Sequence, residues 1–478
     1  MRAFLVVLLL VGVALPPPAR AADTPASLEG DWVGTLSIGA AKLNLILHFT
    51  RDGANWKGTM DSVDQGAMGI PIDLITLDGA KLHFGMTAVG GTYDGTLSAD
   101  GSVLSGQWKQ SGMSLPLEFA RGAGASSLLP KRPQEPKPPL PYDNEEVSCP
   151  NRRAGITLAG TLSLPRGAGP HPAVLLITGS GPQDRDEFVM GHRPFLVLAD
   201  HLTRAGIAVL RVDDRGIGKS TGSFKDATTA DFADDALAGV EFLKSRPDID
   251  ARRIGLVGHS EGGLVAPMVA AGSRDVAFVV LIAGVGVRAD ELLALQSKKI
   301  MKAGGATDEM IAANEEAQKR MFAIVREDPD EESAAKSLQA IGDELVGKFA
   351  SSDSAAAAAA AQSIKGSVRM VNSRWFRYLL SIEPAAALRA VKVPVLAVNG
   401  SLDLQVDAKQ NLPAIEKALR EGGNRGVTVV ELPGLNHLLQ TATTGSPAEY
   451  TTIEETMSPV AMKAISDWIL ARTKLTEK

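Results

Sequence analysis

The sequence predicts an α/β protein: a doubly wound, mostly parallel sheet with a helical cap insertion, preceded by a small antiparallel β-domain. Three observations predict it. After Tyr142, apolar runs of buried-strand length alternate with helical segments, as in a parallel sheet covered on both faces. Between Leu28 and Arg121 the hydrophobic pattern has period two, with Asp-Gly turns between the runs. A proline-rich stretch separates the two patterns, and 478 residues exceed what one ordinary core holds.

The N-terminus reads as an export signal. Arg2 supplies a positive start, Ala3 to Leu15 is apolar, Pro16-Pro17-Pro18 ends that run, and Ala19-Arg20-Ala21 is an A-x-A cleavage site. The expectation is a cleaved signal peptide over residues 1–21, a mature start at Ala22, and a secreted or periplasmic protein; an uncleaved anchor is the alternative. Cys149 is the single cysteine, so no intrachain disulfide can form and packing must hold the fold. With 45% hydrophobic and 22% charged residues the chain has globular composition. A formal charge of -6 argues against nucleic-acid partners and attachment to anionic membranes.

In the β-domain, residues 28–121, Asp52-Gly53, Asp78-Gly79 and Asp100-Gly101 mark hairpin turns. A loose repeat sets an aromatic beside a Gly-Thr step at Trp32-Val33-Gly34-Thr35, Trp56-Lys57-Gly58-Thr59 and Tyr93-Asp94-Gly95-Thr96. It suits a meander or small barrel whose aromatics fill one face, as core or as the wall of a binding pocket. Residues 122–142, with six prolines, read as an exposed, stiff linker.

From 143 to 478 the buried-strand runs are Ala173–Ile177, Ala208–Val212, Ile254–Val257, Phe278–Ile282 and Val393–Val398, followed by Val427–Leu432. Phe195–Ala205 and Ala230–Ser245 are helical between them. About residues 288–383 hold no such strand but helical stretches rich in Ala, Glu, Lys and Met, including Ala355–Ala361. An insertion of that length must be structured, and a helical cap over the sheet's C-terminal edge is expected.

Gly258-His259-Ser260-Glu261-Gly262, between a strand run and an apolar helical run, has the form of a nucleophile elbow. A serine needs a base. Of seven histidines, His48 and His83 fall in the β-domain, His171 precedes a strand, and His192 and His201 lie between the first two strands of the sheet. His259 adjoins the serine and is expected to point away from it. His437 follows the last strand, at the edge where the elbow also emerges, and is the expected base. Asp403, after the strand ending Val398, is the expected orienting acid, with Asp407 four residues on as its competitor. The order Ser260, Asp403, His437 is that of the nucleophile-elbow architecture. For the oxyanion hole the donors are the backbone amides of Glu261 and of Ser180, in the loop Thr178-Gly179-Ser180-Gly181, with Gly181 a near alternative. Asp184-Arg185-Asp186 is read either as a substrate contact or as an ion-pair network fixing the loop.

On these pieces, together with Asp213-Asp214-Arg215-Gly216-Ile217-Gly218-Lys219-Ser220, the chain from about 145 onward resembles the α/β-hydrolase superfamily. Within it, secreted bacterial serine carboxylesterases of the serine-aminopeptidase-like and dienelactone-hydrolase-like branch look closest. Their usual His-Gly before the glycine loop is Thr178-Gly179 here, and the β-domain lies outside the resemblance. The resemblance implies hydrolysis of carboxylic esters through an acyl-enzyme on Ser260. A peptidase, amidase or thioesterase with the same three residues is the alternative, and a non-catalytic binding protein a further one. Small, largely uncharged ester substrates are expected, without metal or cofactor, since no His/Cys cluster has ligand spacing and no glycine loop has full Walker spacing. In the cap, Trp375 and Tyr378 are the expected substrate contacts, core packing being the other reading of Trp375.

Overall fold

The computed structural model describes residues 27–38, 41–53, 55–65, 67–110, 113–122, 131–349 and 366–473. The expected signal peptide at 1–21, most of the linker's glycine-rich start and the Ala355–Ala361 run lie outside the described residues. The chain divides into two compact units.

The N-terminal unit is one antiparallel sheet of nine strands: β1 (Gly30–Ile38), β2 (Ala41–Asp52), β3 (Asn55–Ser62), β4 (Ala67–Pro71), β5 (Leu74–Asp78), β6 (Lys81–Met86), β7 (Gly91–Leu97), β8 (Val103–Gln110) and β9 (Met113–Arg121). Its order is β4-β3-β2-β1-β9-β8-β7-β6-β5. The two outermost strands, β4 and β5, are consecutive in sequence and joined by Ile72 and Asp73 alone, so the sheet must curl until its edges meet. Ile72 N donates to Gly58 O on one side and Asp73 N to Gly85 O on the other. The three expected Asp-Gly turns are present, with Gly53, Gly79 and Gly101 at positive φ.

The aromatic–glycine repeat has a packing cause. Trp32, Phe49, Phe84, Tyr93, Trp108 and Phe119 are buried together. A Cβ on Gly34 would stand 2.7 Å from the Phe119 ring, and one on Gly58 2.8 Å from Phe49. Phe119 and Phe49 therefore lie over the bare backbone of a neighbouring strand's glycine, and the large side chains fill the interior. Trp56 departs from the pattern: it is half-buried, beneath the Arg51 guanidinium at 3.9 Å.

The C-terminal unit holds an eight-stranded sheet: β10 (Tyr142–Asn151), β11 (Ile156–Pro165), β12 (His171–Ile177), β13 (Ala208–Val212), β14 (Ile249–His259), β15 (Phe278–Ile282), β16 (Val395–Gly400) and β17 (Val427–Leu432). The order is β10-β11-β13-β12-β14-β15-β16-β17, antiparallel through β10, β11 and β13 and parallel thereafter. Alternate residues of each strand feed opposite faces. Leu175, Leu210, Leu256 and Val279 pack under α2 (Thr229–Lys244), α3 (Gly262–Gly272) and α9 (Ala408–Glu421). Val174, Leu176, Val257 and Val280 pack under α1 (Pro194–Arg204) and α10 (Pro459–Thr473), against Phe195, Ile465 and Trp468. Full burial of each such aliphatic side chain stabilises by roughly 1.5–3 kcal/mol, so both faces are firmly specified.

The described part of the insertion between β15 and β16 is helical, as expected: α4 (Ala289–Ala303), α5 (Asp308–Glu327), α6 (Glu331–Phe349), α7 (Arg374–Ser381) and α8 (Pro384–Ala390). Its own small core joins Phe322, Leu338 and Phe376 to Leu264 of α3. The described part of the proline-rich stretch, expected to be an exposed, stiff linker, is tied down by its side chains. Arg132 donates to the carbonyls of Met190 (3.3 Å), Gly191 (2.9 Å) and Ile453 (2.8 Å). Gln134 accepts from the amides of Thr456 and Met457 and donates to Met457 O. Prolines keep this segment from forming a helix or strand of its own, so its polar side chains tie it to two loops of the C-terminal unit.

Candidate active site

The elbow is built by close backbone approach. A Cβ at Gly258 would fall 2.1 Å from Gly262 O, and one at Gly262 2.2 Å from Ile177 O, so neither position admits a side chain. Ser260 sits between them at φ +54°, a strained left-handed conformation for a non-glycine residue. Its N–H is held by Ile282 O at 3.0 Å, and Gly263 N returns to Ser260 O at 2.9 Å as α3 begins.

Asp403 and His437 come together from the loops after β16 and β17. His437 Nδ1 donates to Asp403 Oδ2 at 2.8 Å, and both side chains are buried. Asp403 Oδ1 accepts from the amides of Gln405 and Val406, each at 2.8 Å, which fixes the carboxylate's plane. With Nδ1 committed as donor to a carboxylate, Nε2 of the neutral ring is the basic nitrogen. The competitor Asp407 is the N-cap of α9, accepting from Gln410 N at 2.8 Å and pairing with Lys299. It does not meet a histidine.

Ser260 and His437 line one cavity of about 420 Å³ between the strand ends and the cap. Ser180 and Glu261 line it too, and among the described residues neither of their amides donates to a protein acceptor. Gly181, the alternative to Ser180, is not part of the lining. The glycine loop is fixed from behind. Thr178 Oγ1 and Gln183 N donate to Asp214, whose carboxyl burial pushes up to about 7. The Asp184-Arg185-Asp186 run resolves as the ion-pair network: Arg185 binds Asp213 and Glu146, and Asp186 binds Arg211.

The cap supplies the other wall. Ser373 Oγ accepts from Phe376 N to start α7, and Trp375, Phe376 and Leu379 of that helix face the cavity. Trp375 both lines the cavity and donates through Nε1 to Glu261 Oε1 at 2.9 Å. Tyr378 does not line the cavity and is a correction to the sequence reading: the helical repeat turns it away from the face that Trp375, Phe376 and Leu379 share. Thr229, the first residue of α2, donates to the same Glu261 oxygen at 2.7 Å, while Asp231 takes the Thr228 N–H as part of a capping box.

His192 and His201 are engaged elsewhere. His192 binds Thr456 and Tyr450 O, with burial lowering it to about 4, and His201 binds Ser466. His259 also lines the cavity but turns its Nδ1 to Glu187, a partner sequence reasoning missed. The elbow's spacing carries no signal for a carboxylate 72 residues upstream in the chain. Among the described residues no group of His, Cys, Asp and Glu could hold a metal ion, and no helix is long and apolar enough to cross a membrane.

Comparison with known proteins agrees with this architecture. The alpha/beta hydrolase family matches residues 174–450, more than half of the chain, and leaves the β-domain uncovered. Esterase EstD of Thermotoga maritima is 28% identical over 298 residues, which is 61% of this chain and 61% of EstD's own length. Among solved structures, Est1E of Butyrivibrio proteoclasticus with bound ferulic acid is similar at 18% identity, covering 68% of this chain and 98% of that one, with a TM-score of 0.41. The Pyrococcus furiosus esterase Pf2001 matches at 17% identity over 69% of this chain and 90% of its own, also at 0.41. The chain belongs to the alpha/beta hydrolase family.

Proposed function

We propose that the protein hydrolyses carboxylic esters through an acyl-enzyme on Ser260. The observation that carries this reading is the buried Asp403–His437 hydrogen bond opening on the same cavity as the strained Ser260. Ser260 Oγ bonds to the ester carbonyl carbon as His437 Nε2 takes its proton. The amides of Glu261 and Ser180 hold the oxyanion. The carbon–oxygen bond to the alcohol breaks, and His437 gives the proton to the leaving oxygen. Water then attacks the acyl-enzyme by the same route in reverse, releasing the acid and restoring Ser260. Asp403 keeps His437 in the productive tautomer and stabilises its cationic form.

The cavity's lining supports small, largely uncharged substrates. Val285, Leu292, Phe376, Leu379 and Leu438 dominate it, and among the described residues no lysine or arginine lines it. The name of EstD supports esters over amides. Hydrolysis of p-nitrophenyl butyrate against an aminoacyl p-nitroanilide tests the choice: ester turnover far above amide turnover is expected, and equal efficiency would overturn the esterase reading. Export is part of the same proposal, and N-terminal sequencing of protein from the extracellular or periplasmic fraction should begin at Ala22.

A further inference from the structure

We infer that Glu187 and His259 form a buried carboxylate–imidazolium pair that locks the oxyanion loop, the elbow and the His437 loop into one rigid unit, so that both are positioning residues for the reaction at Ser260. The inference rests on the function proposed above, and its first test does not.

Hydrogen-bond logic carries it. Glu187 Oε1 accepts from His259 Nδ1 at 2.8 Å and from Gly179 N, in the oxyanion loop, at 2.7 Å. The other ring nitrogen, His259 Nε2, meets the backbone carbonyl of His437 at 3.2 Å. With Glu187 ionised, its carboxylate and the carbonyl are both acceptors, so both ring nitrogens donate, and a ring with two N–H groups is an imidazolium. Glu187 thus reaches the loop after β12, His259 ends β14, and the carbonyl belongs to the loop after β17. One pair of side chains touches three of the segments that carry the site.

The surroundings agree. Pro194, Phe195, Ile282, Leu438 and Met457 enclose the pair with apolar surface. Burial by itself pushes an imidazole toward its neutral form, yet His259 is held above its ordinary value because the charge and hydrogen bond of Glu187 outweigh the burial. The titratable groups facing it are Glu187, Asp403 and the His437 ring, whose centroid is 4.7 Å away. Glu187 also holds φ +54°, a strained backbone that a surface loop carboxylate does not need. Gly179 completes the fit: a Cβ there would sit 3.3 Å from Ser260 Cβ and 3.4 Å from Glu187 Oε1. The pair has an electrostatic consequence too. When His437 becomes cationic in the reaction, two imidazolium rings stand side by side, and each has its own carboxylate.

Ring-¹⁵N-labelled histidine in the full chain tests this directly, with the His259 signals assigned by their loss in His259→Gln. The expected result is a His259 ring protonated at both nitrogens at pH 7 in the wild type and neutral in Glu187→Gln. A neutral His259 at pH 7 in the wild type overturns the inference whether or not the protein cleaves esters. The second readout is kinetic. Glu187→Ala should lower kcat for p-nitrophenyl butyrate by about 10- to 100-fold, with KM within about threefold, as expected when remote support is lost. Glu187→Gln, which can still accept from Gly179 N, should fall between Glu187→Ala and wild type. An unchanged kcat in a folded Glu187→Ala would overturn the positioning role. No turnover by the wild type would instead defeat the proposed function and leave the NMR result standing.

Discussion

Histidine–carboxylate pairs occur in both units of the chain, and they do different things. In the β-domain, His48 lies between Asp31 and Asp61 at 2.7 and 2.9 Å, and His83 meets Asp94 at 2.7 Å. In the sheet-and-helix unit, His437 meets Asp403 at 2.8 Å. The distances are the same; the settings are not. His48 and His83 project from mid-strand positions with one or both partners exposed to water, while His437 and Asp403 are buried in loops at the strand ends, beside a strained serine and an apolar cavity. A paired imidazole becomes a candidate base when a nucleophile, free amides and a largely apolar cavity converge on it. On a strand face it is a surface ion pair.

That contrast orders the expected effects. Ser260→Ala and His437→Ala should each lower kcat for an activated ester by about 10⁴- to 10⁶-fold with the fold intact by circular dichroism. Asp403→Asn should cost about 10⁴-fold by leaving His437 in the wrong tautomer. Asp407→Ala should instead leave kcat within about twofold and lose about 1–2 kcal/mol of stability, because Asp407 caps α9. A large kcat loss in Asp407→Ala would reverse the assignment of the acid. Trp375→Phe removes the donor to Glu261 while keeping the ring, and a few-fold fall in kcat/KM is expected. His83→Gln should leave ester hydrolysis unchanged.

His48 sharpens the comparison through pH. The hydrogen bond it donates to Asp61, helped by Asp31, raises it to about 9 against the cost of burial. Because the folded value lies above the unfolded one near 6.5, its contribution is fully present below pH 6.5 and is lost as pH rises through 9. Thermal melts of His48→Gln should therefore show a deficit at pH 6 that disappears above pH 9. Solvent at this half-buried site holds that deficit to about 1 kcal/mol or less. A deficit independent of pH would assign it to packing.

The parallel strands were legible because β12 through β16 are buried on both faces and read as unbroken apolar runs, such as Phe278–Ile282. The hairpin β10–β11 was not: β10 is an edge strand with Asp143, Glu145 and Glu146 turned to solvent, so no apolar run announces it. Ser260, Asp403 and His437 were readable from chain order and strand ends. The meeting of Ser260 and His437 on a common cavity depended on the cap, whose helices carry no signal for which face turns inward; Tyr378 was misplaced for that reason. The docking of Arg132 and Gln134 was hidden by composition, since a proline-rich stretch reads the same whether it crosses solvent or a protein surface. Glu187 was invisible because its partners His259 and Gly179 are set by tertiary contact.

In the proposed reaction Ser260 is the one reactive serine of the chain, activated by His437. Intact-mass measurement after treatment with a fluorophosphonate addresses it most directly. A single adduct is expected on the wild type, mapped to the peptide holding Ser260 and absent from Ser260→Ala. No adduct on the wild type, or an adduct that persists in Ser260→Ala, would contradict it.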